Sequence, residues 1–266
     1  MIDIREKGIR MDKVCYSVNG RQILHDFDLF LKPGLNRTIL GVSGVGKTTI
    51  LKLLLGLLPV HSGRVTIDGH DIAGLKQREL IRVRKNIAIV FQGGALFDSM
   101  TVGENVGYRL FEEGNLSQGE IEKIVLEKLG FVGLEQTIDL YPAELSGGMK
   151  KRVAIARALA ADPDYIFFDE PTTGLDPIGV YNICNLMLRL QEEGKTTLMV
   201  THDMDTAFKV SQRFSFLHNA RLVFDGTKQE LLDFPATETR EFFSPSDKSL
   251  FANNSTEKVM EHETKR

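Results

Sequence analysis

Cysteine is scarce in this chain. Only Cys15 and Cys184 occur, with no CxxC and no pairing pattern, which points to a reduced compartment and to two small apolar residues in the interior. Long apolar runs are missing too. The longest, Ile50–Val60, is broken by Lys52 and Gly56 and falls short of the ~20 residues a bilayer crossing needs. The opening MIDIREKGIR carries no apolar signal core. The expectation is a protein that serves a membrane, if at all, through a partner. Neither charge sign dominates: 33 basic and 36 acidic side chains give a net charge of −3. That balance speaks against a general nucleic-acid binder and leaves room for one local basic face. No repeat recurs at a fixed period, so one module is expected. With 42% hydrophobic residues over 266, the chain suits one large α/β domain or two lobes around one core.

Against these absences stands one dense motif, GVSGVGKTT at Gly41–Thr49. It follows the apolar stretch Thr38–Leu40 and precedes the helix-like ILKLLLGLL. Strand, glycine loop and helix in that order form a phosphate cradle. Backbone N–H groups of Gly41, Val42, Ser43, Gly44, Val45 and Gly46 can turn inward onto phosphate oxygens. Lys47 supplies positive charge for the β and γ phosphates, Thr48 offers a hydroxyl to Mg²⁺, and the helix starting near Thr49 aims its positive end at the anion.

Along the chain, residues 11–34 read as short strands around an Asn19-Gly20 hairpin turn, closed by Pro33-Gly34. Strand, loop and helix fill 37 to about 58, a strand covers Arg64–Ile67 with a turn at Asp68-Gly69, and Ile87–Phe91 is an apolar strand ending at Gln92. Residues 94–162 change character: helices are expected around Val102–Phe111, Ser117–Leu129 and Gly147–Ala161, the second with a Ser117/Glu120 capping box, and no clear strand appears. Strand Tyr165–Phe168, helix Ile178–Glu193, strand Thr196–Val200, a short helix Met204–Val210 and a strand pair Phe214–His218 and Arg221–Phe224 follow. Apolar strands alternating with helices favour a parallel sheet covered on both faces. Residues 245–266 are polar and read as a flexible tail, in which Phe251 and Val259 are candidate docking residues.

Two further motifs complete a chemical site. Tyr165–Asp169 is an apolar strand ending in a carboxylate, and Glu170 follows it. Asp169 fits a Mg²⁺ shell and Glu170 a residue that polarises an attacking water. In Leu145-Ser-Gly-Gly-Met149, Ser146 is a strong N-cap. Gly147 and Gly148 in a first helical turn cost about 1 kcal/mol each against alanine, a cost that close approach of an anion explains.

At this point the chain resembles the ATP-binding cassette (ABC) ATPases over residues 11 to about 234. The motifs in order are GVSGVGKT (Walker A), Gln92 (Q-loop), LSGGM (signature), YIFFDE (Walker B), Thr173-Gly-Leu-Asp176 (D-loop) and His202 (switch histidine). The resemblance implies an α/β phosphate-loop NTPase core with an antiparallel β subdomain and a helical signature subdomain at about 94–162, within a domain spanning 11–244. It implies ATP and Mg²⁺ as ligands and a head-to-tail homodimer in which each ATP lies between one subunit's Walker A and the other's signature. Gly41, Gly44, Gly46, Lys47 and Thr48 would bind triphosphate and metal, while Ser146, Gly147 and Gly148 would reach the γ-phosphate on the opposite subunit. Gln92 would touch Mg²⁺ and water and report to a membrane partner, Glu170 would act as general base, His202 would hold the γ-phosphate, and Asp176 would cross the dimer. Gln92 as a strand-end cap and His202 as a loop histidine stay open, and Asp176-Pro177 also reads as a helix cap with proline in the first turn. At the family's adenine-stacking position stands Val18, and Tyr16 on the same face is expected in the core.

Among cassettes, this chain holds a single copy without long coiled-coil inserts or membrane helices, and Leu140-Tyr-Pro-Ala-Glu144 looks importer-like. A separate ATPase subunit on the cytoplasmic face of an inner membrane, bound to an integral permease, is implied. The stretches VFQGGALFDSMTV and LSGGMKKRVAIARAL resemble the Mla/Mce-type phospholipid transport ATPases. That likeness implies lipid movement in a Gram-negative envelope, with a small regulatory subunit and an Mce-type lipid-binding protein as further partners. A methionine-type amino-acid importer and a soluble regulatory ATPase without a permease are the alternatives. Lys150–Arg152 reads as a solvated helix face. Ala95-Leu-Phe97 reads either as an apolar surface for a coupling helix or as part of the helical lobe's own core.

Overall fold

The computed structural model describes residues 7–234; the expected tail at 245–266, with Phe251 and Val259, and residues 235–244 lie outside them. Two sheets carry the chain. The first is antiparallel, in the order β2-β1-β4-β5, from β1 (Ile9–Val18), β2 (Arg21–Leu31), β4 (Ser62–Ile67) and β5 (His70–Asp71). The second has the order β10-β9-β3-β8-β7-β6, from β3 (Asn36–Leu40), β6 (Ile87–Val90), β7 (Tyr165–Asp169), β8 (Thr196–Thr201), β9 (Arg213–His218) and β10 (Arg221–Gly226). It is parallel from β9 through β6, and β10 adds antiparallel at its edge.

Continuous apolar strands are explained by cores on both faces. Along β7, Tyr165 and Phe167 join the core shared with β1, β2 and helix α1 (Lys47–Leu54). Ile166 and Phe168 point the other way. There they meet α3 (Val102–Glu113), α4 (Gln118–Phe131), α5 (Gly147–Leu159), α6 (Pro177–Glu192) and α7 (Met204–Val210). The same period-2 alternation divides Ile39 from Leu40, and Leu198 and Val200 from Met199. Helices α3, α4 and α5 form the insert between β6 and β7, and no strand lies within 94–162.

Helix boundaries follow local chemistry. Thr101 and Ser117 start α3 and α4 with capping boxes to Glu104 and Glu120. Helix α1 stops at Leu54, short of the expected 58, because Gly56 turns left-handed at φ 61 and redirects the chain. An eight-residue helix that the sequence pattern did not announce, α2 (Gln77–Arg84), packs nearby. It buries no residue fully; Leu80 and Val83 pack half-buried against the core beneath β1 and β2, and Arg84 donates to the carbonyls of Leu55 and Gly56 at 2.6 and 2.9 Å.

The two sheets are tied at the base of β7. The Tyr165 hydroxyl donates to Asp68 Oδ1 at 2.5 Å, and the Gly8 amide donates to the same oxygen at 2.9 Å. Burial, then the Asp68 hydrogen bond, pushes ionisation of the Tyr165 phenol far above its ordinary range. Tyr165→Phe removes one hydrogen bond to a charged acceptor and should lower stability by about 1.5–3 kcal/mol in urea denaturation at neutral pH. An unchanged midpoint would mean that the packed ring alone joins the sheets.

Candidate nucleotide site

Parallel strands β3, β7 and β8 end side by side, and their C-terminal ends deliver the site. β3 leads into the glycine loop, whose last residue, Gly46, is the N-cap of α1 at φ 116. A Cβ there would lie 2.6 Å from the Ile23 side chain, so only glycine lets the loop close over β2. No side chain caps α1, leaving its first-turn N–H groups facing the loop. Lys47 is buried and donates to the carbonyls of Gly41 and Val42 at 2.7 and 3.2 Å. Its Nζ also stands 3.3 Å from Glu170 Oε1.

Asp169 is the last residue of β7, and Glu170 follows with a left-handed backbone, φ 47. Its amide donates to the Val200 carbonyl at 2.9 Å, which holds this unfavourable conformation. Thr201 Oγ1 donates to Glu170 Oε2 at 2.9 Å, Thr173 Oγ1 does so at 3.3 Å, and His202 Nδ1 lies 3.0 Å from both carboxylate oxygens. Thr48 Oγ1 donates to Asp169 Oδ1 at 3.0 Å. The neighbouring carboxyls are driven in opposite directions. Burial raises Asp169 above its ordinary range; the Thr48 hydrogen bond opposes this and the Glu170 charge adds to it. Burial works against Glu170 also, but the His202 hydrogen bond, the Lys47 charge and the Thr201 hydrogen bond outweigh it and hold the carboxyl below its ordinary range.

Ser43, Gly44, Gly46, Lys47, Thr48, Thr49, Gln92, Glu170 and His202 line one cleft of about 270 Å³, together with Ile23. Val42 and Val45 line an adjoining depression with Arg21 and Asn219, sharing Ile23, Ser43 and Gly44 with the cleft. The cradle fits a triphosphate: a glycine loop, an uncapped helix start and one buried ammonium. Thr48, Asp169 and Gln92 offer hard oxygen donors that suit Mg²⁺. Tyr16 is buried, with its ring 4.9 Å from His61, and Val18 is exposed.

Ser146, Gly147, Gly148 and Asp176 do not line the cleft. Ser146 caps α5 and accepts from the Met149 amide at 3.3 Å, with Ser146 and Gly147 exposed. Asp176 is the cap of α6, accepting from Gly179 at 2.6 Å, with Pro177 in the first turn. Both motifs thus present their backbone outward from a single chain.

Sequence reasoning missed three supports. Thr201 steadies Glu170 and carried no motif signal of its own. Lys151, expected on a solvated face, is buried. It donates to the carbonyls of Pro171 and Thr173 at 2.9 and 2.6 Å, tying the signature helix to the segment after Glu170. The third is the pinning of the loop after Gln92. Fully buried Asn105 donates to Phe97, Met100 and Thr101 carbonyls, and Arg157 donates to those of Gly94 and Ala95. The two readings of Leu96 and Phe97 divide between them: Leu96 packs on the helical-side core, while Phe97 is 42% exposed beside Tyr108.

The opposed carboxyls give a pH signature. Because the folded chain holds Asp169 in its protonated form more readily than the unfolded chain does, its contribution is favourable at low pH and is lost as pH rises through its folded pKa. In chelator at neutral pH, Asp169→Asn should therefore be at least as stable as the parent. That relative gain should shrink on acidification into the carboxylate range. A variant less stable at neutral pH than at pH 4, relative to the parent, would contradict the assignment.

Comparison with known proteins follows the same lines. The ABC transporter family profile matches residues 24–173, more than half of the chain. The intermembrane phospholipid transport system ATP-binding protein MlaF of Haemophilus influenzae is 40% identical over 225 residues, 84% of this chain and 85% of that one. The methionine import ATP-binding protein MetN of Haemophilus ducreyi is 37% identical over 249 residues, 92% of this chain and 71% of that one. Among solved structures, a dimeric ATP-binding cassette in a post-hydrolysis state, bound to ADP and Pi, superposes with a TM-score of 0.76 at 34% identity, covering 82% of this chain and 98% of that one. With its phosphate loop, paired carboxyls and outward signature helix in this arrangement, the chain belongs to the ABC transporter family.

Proposed function

We propose that this chain is the ATP-hydrolysing subunit of a transporter that moves phospholipid between the two membranes of a Gram-negative envelope. The observation that carries the catalytic part is the convergence of Lys47, Thr48, Gln92, Glu170 and His202 on one cleft at the ends of parallel strands. Gly41, Gly44 and Gly46 with the start of α1 bind the phosphates of ATP, and Lys47 neutralises the β and γ groups. Thr48, Asp169 and Gln92 would hold Mg²⁺, which offsets charge developing on the phosphates. Glu170, ionised through its His202, Lys47 and Thr201 contacts, accepts a proton from the attacking water. His202 orients that water and the γ-phosphate.

The second half of each site comes from another copy. The exposed start of α5 supplies Ser146, Gly147 and Gly148, and Asp176 reaches across from the start of α6. Among the described residues no helix is long and apolar enough to cross a membrane. An integral permease carries the transported molecule, a reading supported by the likeness to ATP-binding proteins of transport systems. The loop Gly93–Thr101 with exposed Phe97 is the docking surface for it at the cytoplasmic face of the inner membrane. Lipid as cargo is supported by the MlaF likeness and by Met149 after the signature glycines. A small regulatory subunit and an Mce-type lipid-binding protein belong to this reading. The MetN likeness favours an amino-acid importer as the second reading. Co-purification separates them, since a partner with an Mce-type domain supports lipid and a periplasmic amino-acid receptor overturns it.

Glu170→Gln should retain ATP binding and lose about 10²–10⁴-fold in turnover, measured as phosphate release beside nucleotide affinity. Near-normal release would remove Glu170 from the general-base role. Ser146→Arg should leave nucleotide binding by the single chain intact while abolishing cooperative hydrolysis. Unchanged cooperative turnover would count against a site completed by the second copy.

A further inference from the structure

A second, unrelated constellation lies on the antiparallel sheet. Between the pairs Val14↔Phe27 and Tyr16↔Leu24, β1 has one residue, Cys15, and β2 has two, His25 and Asp26. This is a β-bulge, with Asp26 at φ 46. In a regular strand His25 and Asp26 would project to opposite faces. Here both turn toward Cys15, and the three donor atoms lie within 4.8 Å of one another. Cys15 Sγ is 3.8 Å from His25 Nδ1 and 3.6 Å from Asp26 Oδ1, and His25 Nδ1 is 3.9 Å from Asp26 Oδ2. Tetrahedral zinc with sulfur at ~2.3 Å and nitrogen or oxygen at ~2.0–2.1 Å separates its ligands by roughly 3.3–3.6 Å. The two sulfur distances stand within a few tenths of an ångström of such edges; the nitrogen–oxygen distance, measured to the other carboxylate oxygen, is about half an ångström long, a gap that rotation of the exposed Asp26 carboxylate closes.

The surroundings suit a metal. The Asp26 amide donates to Cys15 Sγ at 3.3 Å, which orients the sulfur within the bulge. The His25 amide donates to the Ala220 carbonyl at 2.8 Å and fixes the bulge against the β9–β10 turn. The His25 and Asp26 side chains are 34% and 56% exposed, so an ion can enter from solvent and keep a water as fourth ligand. His61 stays outside the set, because its Nδ1 accepts from the Ser17 amide at 3.2 Å. Cys15, expected as a small apolar residue, is thus half-buried in a polar cluster.

We propose that Cys15, His25 and Asp26 bind one borderline-soft divalent cation of the zinc class, apart from the nucleotide site. On binding, the thiol proton leaves to solvent, the thiolate lone pair forms the metal–sulfur bond, and Nδ1 and one carboxylate oxygen complete three protein bonds with no change in oxidation state. The test is a Co²⁺ titration of the full chain, reduced, stripped with chelator and held in excess Mg²⁺. It reads the sulfur-to-cobalt charge-transfer absorption and its loss on adding Zn²⁺. One equivalent per chain is expected. The band should vanish in Cys15→Ser and persist in Cys184→Ser, and affinity should fall at least ~10-fold in His25→Gln and in Asp26→Asn. ATP turnover of each variant reports that it is folded. Absence of the band, a band that survives Cys15→Ser, or undiminished affinity in both His25→Gln and Asp26→Asn would overturn the proposal.

Discussion

The ion pair between Lys47 and Glu170, 3.3 Å apart, is the constraint around which the nucleotide end of the sheet is arranged. Two charges that are largely removed from water are tolerable only when each finds further partners. The lysine finds loop carbonyls, and the carboxylate finds Thr201, Thr173 and His202. These partners come from the ends of β3, β7 and β8. Strand order, loop closure and the left-handed turn at Glu170 therefore have to be correct together.

The double-sided core makes that correctness possible. A strand whose alternate residues are both apolar has no solvent face to slip toward, so a one-residue shift in register would mismatch every contact on both sides. β7 is fully buried along its length. Its carboxylate end is consequently among the most tightly packed points of the sheet, while Ser146 and Gly147 at the start of the signature helix, and Gly174 and Asp176 after β7, are exposed.

Much of this was legible in the sequence because it is local. A glycine loop between a strand and a helix, an acidic strand end and a serine before two glycines each declare themselves within ten residues. The capping box of Ser117 and the Asp176-Pro177 helix start are read the same way, and both stand as expected. What escaped depends on distance along the chain. Lys151 looked solvated because its helix is rich in charge, and only the fold brings the carbonyls of Pro171 and Thr173 to it. Helix α2 is short and only half-buries Leu80 and Val83, and its tie through Arg84 to the end of another helix depends on the fold. The Cys15–His25–Asp26 grouping exists only because of one extra residue in a strand, which no periodicity announces.

The Lys151 tie has a mechanical consequence. An ammonium clamped on two carbonyls makes the helical lobe and the Glu170–Thr173 turn move as one lever. Thermodynamic linkage makes such a lever work in both directions with equal strength. A tilt of the lobe imposed by a neighbouring protein would strain the turn that holds the water-activating carboxylate, and a change at that turn would push back on the neighbour by the same free energy. Force and chemistry would then share a single fulcrum, set by one buried side chain.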